Sequence, residues 1–217
     1  MLTKKEISEI IRFLEIDSPA AECSLEYGKD YELLFATRLA AQCTDERVNM
    51  ITPILYGRYP TLQALADASV SDIEECIHSC GFFRAKSRDI VAAAKMLISD
   101  FGGKVPGNMD DLLKLPGVGR KTANLILGDV FRIPGSVVVD THCIRLTNRI
   151  GLVKTDDPEK IEKQLREQLP PDKSNDFCHR MVLHGRKICP ARGPKCGECS
   201  ISGICKTGKE TLKKTTG

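Results

Sequence analysis

Helix-start and helix-stop signals follow one another along almost the whole chain, and they constrain the fold more than any other feature. Thr3 and Glu6 have the spacing of a capping box. Thr44 precedes two acidic residues, and Asp157 precedes a proline, which is favoured at the first helical position. Segment 87–101 ends at two glycines, a common helix stop. We therefore predict an all-α fold of about ten helices with short connections.

Two further patterns concern the predicted secondary structure, and only the second departs from helix. Ser71 and Glu74 again have capping-box spacing, so a helix is predicted to begin there. SVVVD at 136–140 is the one strand-like run. No segment approaches the roughly 18 apolar residues of a membrane span, and the N-terminus lacks a signal-peptide pattern, so we expect a cytoplasmic (nucleoid-associated) protein without a membrane partner.

Charge is unevenly distributed along the 217 residues. The net charge is only +3, yet the chain from His179 onward carries nine Lys or Arg and two Glu. This asymmetry predicts a basic surface that faces an anionic partner. For 206–217 a solvated tail is an equally good interpretation.

The stretch LPGVGRKTA at 115–123 admits three interpretations. A phosphate-binding P-loop needs lysine directly after the last glycine, but here Arg120 separates Gly119 from Lys121. A dinucleotide fingerprint needs a third glycine and a preceding strand, and both are missing. The remaining interpretation is two helices joined by a tight Pro-Gly-x-Gly turn, and a plain turn with a solvated lysine is its alternative.

This turn predicts a site for a phosphate. Gly117 and Gly119 allow close approach to the backbone, and the N–H groups of the following helix, with Arg120, attract an anion. The helix dipole and Arg120 disfavour a further positive charge at Lys121, so this amine is a candidate nucleophile.

A carboxylate follows the second helix of the turn. That helix carries the chain about 16 Å away, and residues 132–139, if extended, return it by about 26 Å. Asp140 can therefore reach the mouth of the turn as the partner of Lys121. Helix capping alone is the alternative role for Asp140.

Four of the ten cysteines have ligand spacing, C-x6-C-x2-C-x5-C within 189–205. Their thiolates can hold one zinc or iron–sulfur centre, and the spacing alone does not decide between the two. Arg192 and Lys195 lie between the first two ligands and are predicted to face phosphates. The other six cysteines are predicted to be buried small apolar residues. The four ligand candidates are Cys189, Cys196, Cys199 and Cys205.

Three of these segments together resemble the endonuclease III family. LPGVGRKTAN resembles the helix-hairpin-helix motif of base-excision DNA glycosylases, VVVDTHCIRLTNR resembles their catalytic-aspartate segment, and the cysteine spacing is similar to the family's [4Fe–4S] loop. The resemblance implies a bifunctional DNA glycosylase and AP lyase that removes oxidised pyrimidines from duplex DNA. Lys121 would form a Schiff base, Asp140 would assist it, and β-elimination would cut the abasic strand.

The resemblance also implies DNA contacts and a domain arrangement. Gln42 would fill the gap left in the duplex, and Phe82, where the family usually has an aliphatic residue, would wedge into the opposite strand. An ordinary surface position on a helix is the alternative for Gln42, and core packing is the alternative for Phe82. Two helical domains would flank a DNA-binding cleft in a monomer. They are 22–134, with the helix-hairpin-helix at 109–128, and 1–21 plus 135–217, with the cluster.

Three alternative functions stay open from the sequence. Monofunctional mismatch glycosylases share the motif but typically lack the amine of Lys121. A non-catalytic helix-hairpin-helix module would bind DNA without cutting it. A zinc-ribbon interaction protein would be colourless, whereas an iron–sulfur protein absorbs near 400 nm.

Overall fold

The computed structural model describes residues 2–215, and it confirms the all-α prediction. Within this range there are twelve α-helices, two 3₁₀ helices and no strand. The strand-like run at 136–140 is buried at its three valines, but no second strand exists in the described part of the chain to form a ladder with it. The chain divides into two compact units, Cys23–Arg132 and Met1–Glu22 with Ile133–Gly217.

Seven α-helices, numbered in chain order, belong to the unit Cys23–Arg132. They are α2 (Asp30–Leu39), α3 (Asp45–Arg58), α4 (Leu62–Asp67), α5 (Val70–Ile77), α6 (Phe83–Phe101), α7 (Met109–Leu112) and α8 (Arg120–Asp129). The longest helix, α6, packs against α2, α4 and α5, and α8 packs against α2 and α7. Ile90 and Leu97 of α6 are fully buried, and each such side chain stabilises the fold by about 1.5–3 kcal/mol.

The boundaries of these helices test the capping predictions. Thr44 caps α3 by accepting a hydrogen bond from Arg47 N–H at 3.2 Å, as predicted. The predicted stop of α6 is also confirmed, because Gly102 adopts the left-handed conformation there. The predicted start at Ser71 is wrong. Ser69 is the residue in extended conformation, and its hydroxyl accepts from Asp72 N–H at 3.1 Å.

The other unit contains five α-helices. They are α1 (Lys4–Asp17), α9 (Thr141–Ile150), α10 (Pro158–Gln168), α11 (Ser174–Lys187) and α12 (Lys206–Thr215), with 3₁₀ helices at Pro171–Lys173 and Cys196–Glu198. Helix α11 packs against α1 and α9. Thr3 and Glu6 form the predicted capping box, and Asp157 caps α10 with proline at its first position.

Helix α12 corrects one alternative about the basic C-terminus. Residues 206–215 are helical and pack against α9, so this stretch is not a freely solvated tail. Residues 216–217 lie outside the described part of the chain. None of the helices within 2–215 has the length and apolarity needed to cross a membrane.

Candidate functional site

The turn between α7 and α8 leaves the start of α8 without a side-chain cap. Leu115 is buried, and its carbonyl accepts a hydrogen bond from Val118 N–H at 3.1 Å. Gly119 is the N-cap of α8, and its carbonyl accepts the first helical bond from Ala123 at 2.9 Å. Glycine has no side chain that could accept from the first turn. Such a helix start directs N–H groups and the positive end of the helix dipole outward, which favours an anion.

Lys121 lies in the first turn of α8 and is exposed. Residues 122–129, the rest of the same helix, are all buried. The helix therefore holds the amine on a rigid element of which only the start is accessible. This arrangement can bring the amine to a ligand whose phosphate binds at the turn.

The two glycines of the turn have different physical reasons to be glycine. Gly117 has φ +75°, and a Cβ there would lie 2.7 Å from Arg38 Nε and 2.8 Å from Asp89 Oδ2. Gly119 has φ −108°, and a Cβ there would meet nothing within 4 Å. A side chain at 117 is thus disfavoured by the positive φ and by the neighbouring Arg38 and Asp89 side chains, whereas the open space at 119 is where an outside group can approach.

Arg38 and Asp89 form an ion pair beneath this turn. Arg38 of α2 donates from Nε to Asp89 Oδ2 of α6 at 2.7 Å, and Nη2 lies 2.6 Å from the same oxygen. About a quarter of each side chain is exposed, 23% and 26%. Neither residue is among those predicted from the sequence. The available signal was a single arginine inside the otherwise uncharged run LLFATRLAAQ.

The two side chains predicted to enter DNA lie on loops with unusual backbone conformation. Gln42 has φ +55° and Phe82 has φ +58°, and within residues 2–215 only Arg132 is a third non-glycine residue with positive φ. Phe82 is 68% exposed, which rules out the core-packing alternative, and Gln42 is exposed as well. A Cβ on Gly81 would lie 3.6 Å from the Gln42 carbonyl, so the two loops are neighbours.

A buried lysine joins the helices that carry these loops. Lys86 of α6 has no exposed surface, and its Nζ donates to the Leu39 carbonyl at the end of α2 at 2.8 Å. Burial lowers the pKa of Lys86. The bond fixes the end of α2, three residues before Gln42, to the start of α6.

Asp140 caps α9, as one of its predicted roles requires. Its Oδ1 accepts a hydrogen bond from Cys143 N–H at 2.7 Å, and the side chain is half-buried. The cap holds the carboxylate in a fixed orientation and uses Oδ1. Oδ2 lies outside this cap, so capping does not prevent the group from facing a ligand.

All four cysteines with ligand spacing line one pocket. The pocket encloses about 390 Å³, including space open to solvent, and Leu146, Ile150, Ile188 and Ile201 contribute apolar walls. Within residues 2–215 no three His, Cys, Asp or Glu side chains are placed to hold a single metal ion. The pocket is lined by Cys189, Cys196, Cys199 and Cys205.

Polar groups approach the sulfur atoms of this pocket. Arg149 Nη1 donates to Cys189 Sγ at 3.2 Å, and Gly208 N–H donates to Cys205 Sγ at 3.5 Å. Burial raises the pKa of Cys199 to about 11 and also raises the pKa of Cys205. Thiolates in this environment need a bound positive centre, and N–H donors around the sulfurs are what an iron–sulfur cluster uses. The four thiols around one pocket therefore fit a cluster of several irons, in which each cysteine binds a different iron, and not a single metal ion.

Arg149 also fixes the loop that follows Cys189. Its Nη1 donates to the Pro190 carbonyl and its Nη2 to the Ala191 carbonyl, both at 2.7 Å. Arg192 and Lys195 are exposed farther along this loop. One arginine thus bonds both a candidate ligand and the backbone that leads to the exposed cations.

Comparison with known proteins identifies the family. Residues 35–171 match the family model described as HhH-GPD superfamily base excision DNA repair protein. Endonuclease III of a Synechocystis species is 47% identical over 93% of this chain and 92% of that protein. Endonuclease III of Bacillus subtilis is 36% identical over 99% and 98%. The chain belongs to the endonuclease III family.

A solved structure of the family has the same fold. It is described as a trapped endonuclease III–DNA covalent intermediate, an estranged-adenine complex. Its TM-score is 0.91 at 38% identity, and the match covers 98% of this chain and 100% of that one.

The six cysteines outside the ligand spacing are only partly as predicted for this family member. Cys80, Cys143 and Cys178 are buried, as expected, whereas Cys23, Cys43 and Cys76 are only partly buried. Burial raises the pKa of Cys23 to about 12 and that of Cys80 to about 11, which keeps both thiols protonated and unreactive at neutral pH. The prediction of full burial is wrong for Cys23, Cys43 and Cys76, because the spacing of cysteines carries no information about burial.

Proposed function

We propose that this endonuclease III family member is a bifunctional DNA glycosylase and AP lyase that removes oxidised pyrimidines from duplex DNA. The observation that carries the proposal is the exposed amine of Lys121 in the first turn of an otherwise buried helix, next to an uncapped phosphate site. The solved structure at TM-score 0.91, a covalent enzyme–DNA intermediate by its description, supports it.

The proposed reaction begins with the damaged nucleotide flipped out of the duplex, which costs a few kcal/mol. The Lys121 amine attacks C1′ of the sugar, the C1′–N bond breaks, and the base leaves with a proton. Asp140 helps to activate the amine and stabilises the positive charge that develops on the sugar. The C1′–O4′ bond then breaks, O4′ takes up a proton, and the opened sugar is joined to Lys121 as a Schiff base. This Schiff base makes the C2′ protons acidic. Loss of one breaks the C3′–O3′ bond, and hydrolysis then frees the lysine.

Gln42 and Phe82 are proposed to maintain the opened duplex. Both side chains are exposed on adjacent loops, so one can fill the gap left by the flipped nucleotide while the other stacks into the opposite strand. The turn at Gly117 and Gly119, with Arg120, would hold a phosphate without base preference.

The four cysteines of the pocket are proposed to hold a [4Fe–4S] cluster. When bound, the cluster supplies a structural link between four thiolates. The chain's own contribution is to present Arg192 and Lys195 on the loop that Arg149 fixes. Broad absorption near 400 nm from the purified protein supports this assignment, and a colourless protein with stoichiometric zinc contradicts it.

Borohydride trapping on a duplex with one abasic site tests the lyase. We expect a covalent adduct with the wild type and none with Lys121→Ala. Lys114→Ala is the matched control, because Lys114 is an exposed lysine on the other side of the turn and is paired with Asp111; its adduct should equal that of the wild type. Asp140→Asn should slow single-turnover base release by about 10²–10⁴. Wild-type base release without an adduct would instead indicate a monofunctional glycosylase.

A further inference from the structure

The ion pair between Arg38 and Asp89 lies where three candidate DNA-facing segments meet. We propose that these are positioning residues that fix the phosphate-binding turn relative to the loops of Gln42 and Phe82. The inference rests on the proposed function, since it assumes that the turn binds a DNA phosphate. It assigns a role in binding to two residues that have no direct part in the chemistry.

The ion pair lies directly against the turn at Gly117. Arg38 Nε and Asp89 Oδ2 occupy the space that a Cβ on Gly117 would need, at 2.7 and 2.8 Å from its position. The turn therefore rests directly on the paired groups. Because Arg38 Nε donates to Asp89 Oδ2 and Nη2 lies 2.6 Å from the same oxygen, the pair is a short, charge-assisted contact.

The helices that carry the ion pair, α2 and α6, also carry the loops of Gln42 and Phe82. Arg38 and Leu39 are consecutive in α2, and they bond to Asp89 and Lys86, which are three residues apart in α6. Residues three apart share one helix face. The two bonds together hold the end of α2 on the start of α6, and the loops of Gln42 and Phe82 extend from these two ends.

The Arg38–Asp89 pair is partly buried. With about a quarter of each side chain exposed, solvent screens the attraction less than at a free surface. The pair can thus act as a stable base for the turn. Loss of either partner leaves the other charge half-buried, and the side chain that remains is then free to reorient beneath Gly117.

The test measures binding and chemistry separately. The probe for binding is a duplex with a tetrahydrofuran abasic analogue, and the rate of β-elimination is measured on a natural abasic duplex at saturating enzyme. We expect Asp89→Asn and Arg38→Gln each to raise Kd about tenfold, with the saturating rate changed less than twofold. The double variant should be no weaker than either single variant, because both break one interaction.

Glu75→Gln is the matched control. Glu75 pairs with Arg58 at 3.8 Å in the same unit, but it is 74% exposed and lies outside the turn. We expect its Kd to equal that of the wild type. A purely structural role for Arg38 and Asp89 would lower the melting temperature of the variants and leave Kd unchanged, which would overturn the proposal. Arg38→Lys, which keeps the charge and loses the paired donors, should give an intermediate Kd.

A second readout does not depend on the stability of those variants. Gly117→Ala should raise Kd more in the wild-type background than in Arg38→Ala, because truncation of Arg38 removes the atoms nearest to the new methyl group. We expect the increase in Kd caused by Gly117→Ala to be at least threefold smaller in the Arg38→Ala background than in the wild type. Equal effects in both backgrounds would contradict the proposal. A wild type that fails to trap abasic DNA would instead refute the proposed function, so the two failures are distinguishable.

Discussion

The turn at 115–119 and the cysteine loop at 189–205 both present positive groups to the outside, but they do so by different means. The turn uses backbone N–H groups and the dipole of α8, and an ion pair within the same unit supports it. The loop uses the side chains of Arg192 and Lys195 and is closed by four thiols around a pocket. The geometry of the turn therefore belongs to the polypeptide alone, whereas the loop would be completed by the proposed cluster.

The two regions also differ in which groups accept the hydrogen bonds of the arginine that holds each of them. Beneath the turn, Arg38 bonds to a carboxylate on another helix. In the loop, Arg149 bonds to the backbone carbonyls of Pro190 and Ala191 and to the sulfur of Cys189, a proposed ligand. Each region is therefore held by its own arginine. Arg38 is half of an ion pair, whereas Arg149 bonds mainly to main-chain carbonyls.

Cys205→Ser should have the largest effect, since it removes a buried thiol that is a proposed ligand of the cluster. We expect loss of the absorption near 400 nm, a drop in the free energy of unfolding of several kcal/mol, and DNA affinity at least tenfold lower at physiological salt. Ultraviolet–visible spectra, thermal unfolding and a binding titration measure the three. Cys76→Ser, at a partly buried thiol with no ligand spacing, should match the wild type.

Arg149→Met should have the next largest effect, because it removes three hydrogen bonds from a charged donor. We expect the unfolding free energy to fall by about 2–4 kcal/mol and the chromophore to bleach faster in air, while the cluster still assembles. Denaturant titration and the decay of absorbance measure both. Unchanged decay would show that the clamp does not protect the pocket.

The two glycines of the turn separate stability from binding. Gly117→Ala should lower the unfolding free energy by about 1–3 kcal/mol, since it combines positive φ with a clash. Gly119→Ala should cost below about 1 kcal/mol but should still raise Kd for abasic DNA, because its methyl group enters the space left for a phosphate. Equal stability of the two variants would contradict this distinction.

The exposed cations of the loop should give the smallest effect. Arg192→Ala and Lys195→Ala should each reduce the slope of log Kd against log salt by about one, with little change in the reaction rate. Titrations between 50 and 200 mM salt, roughly the range over which counterion release dominates, measure it. Lys163→Ala, at an exposed lysine of α10, is the control and should leave the slope unchanged.

Local chemistry determined what sequence could predict. The caps at Thr3, Thr44 and Asp157 and the stop at Gly102 depend on residues within one helical turn, so their pattern was visible. The same rule failed at Ser71 because Ser69, two positions earlier, competes for the same role. When two serines lie two residues apart, the capping-box spacing alone does not tell which of them is the N-cap.

Contacts between distant residues were beyond the sequence. Arg38 and Asp89 are 51 positions apart, and Arg149 is 40 positions from Cys189. A pattern showed that glycine was needed at 117 but not which neighbour excludes a side chain. The positive φ at Gln42 and Phe82 was equally hidden, since neither residue type favours it.

The left-handed backbone at Gln42 and Phe82 has a consequence for any attempt to improve this protein. Glycine would relax both positions, each by about 1–3 kcal/mol at most, so selection for thermal tolerance alone would favour it. The amide and the aromatic ring would then vanish from the surface. Heat resistance and the proposed contacts with opened DNA would therefore place opposite demands on the same two residues.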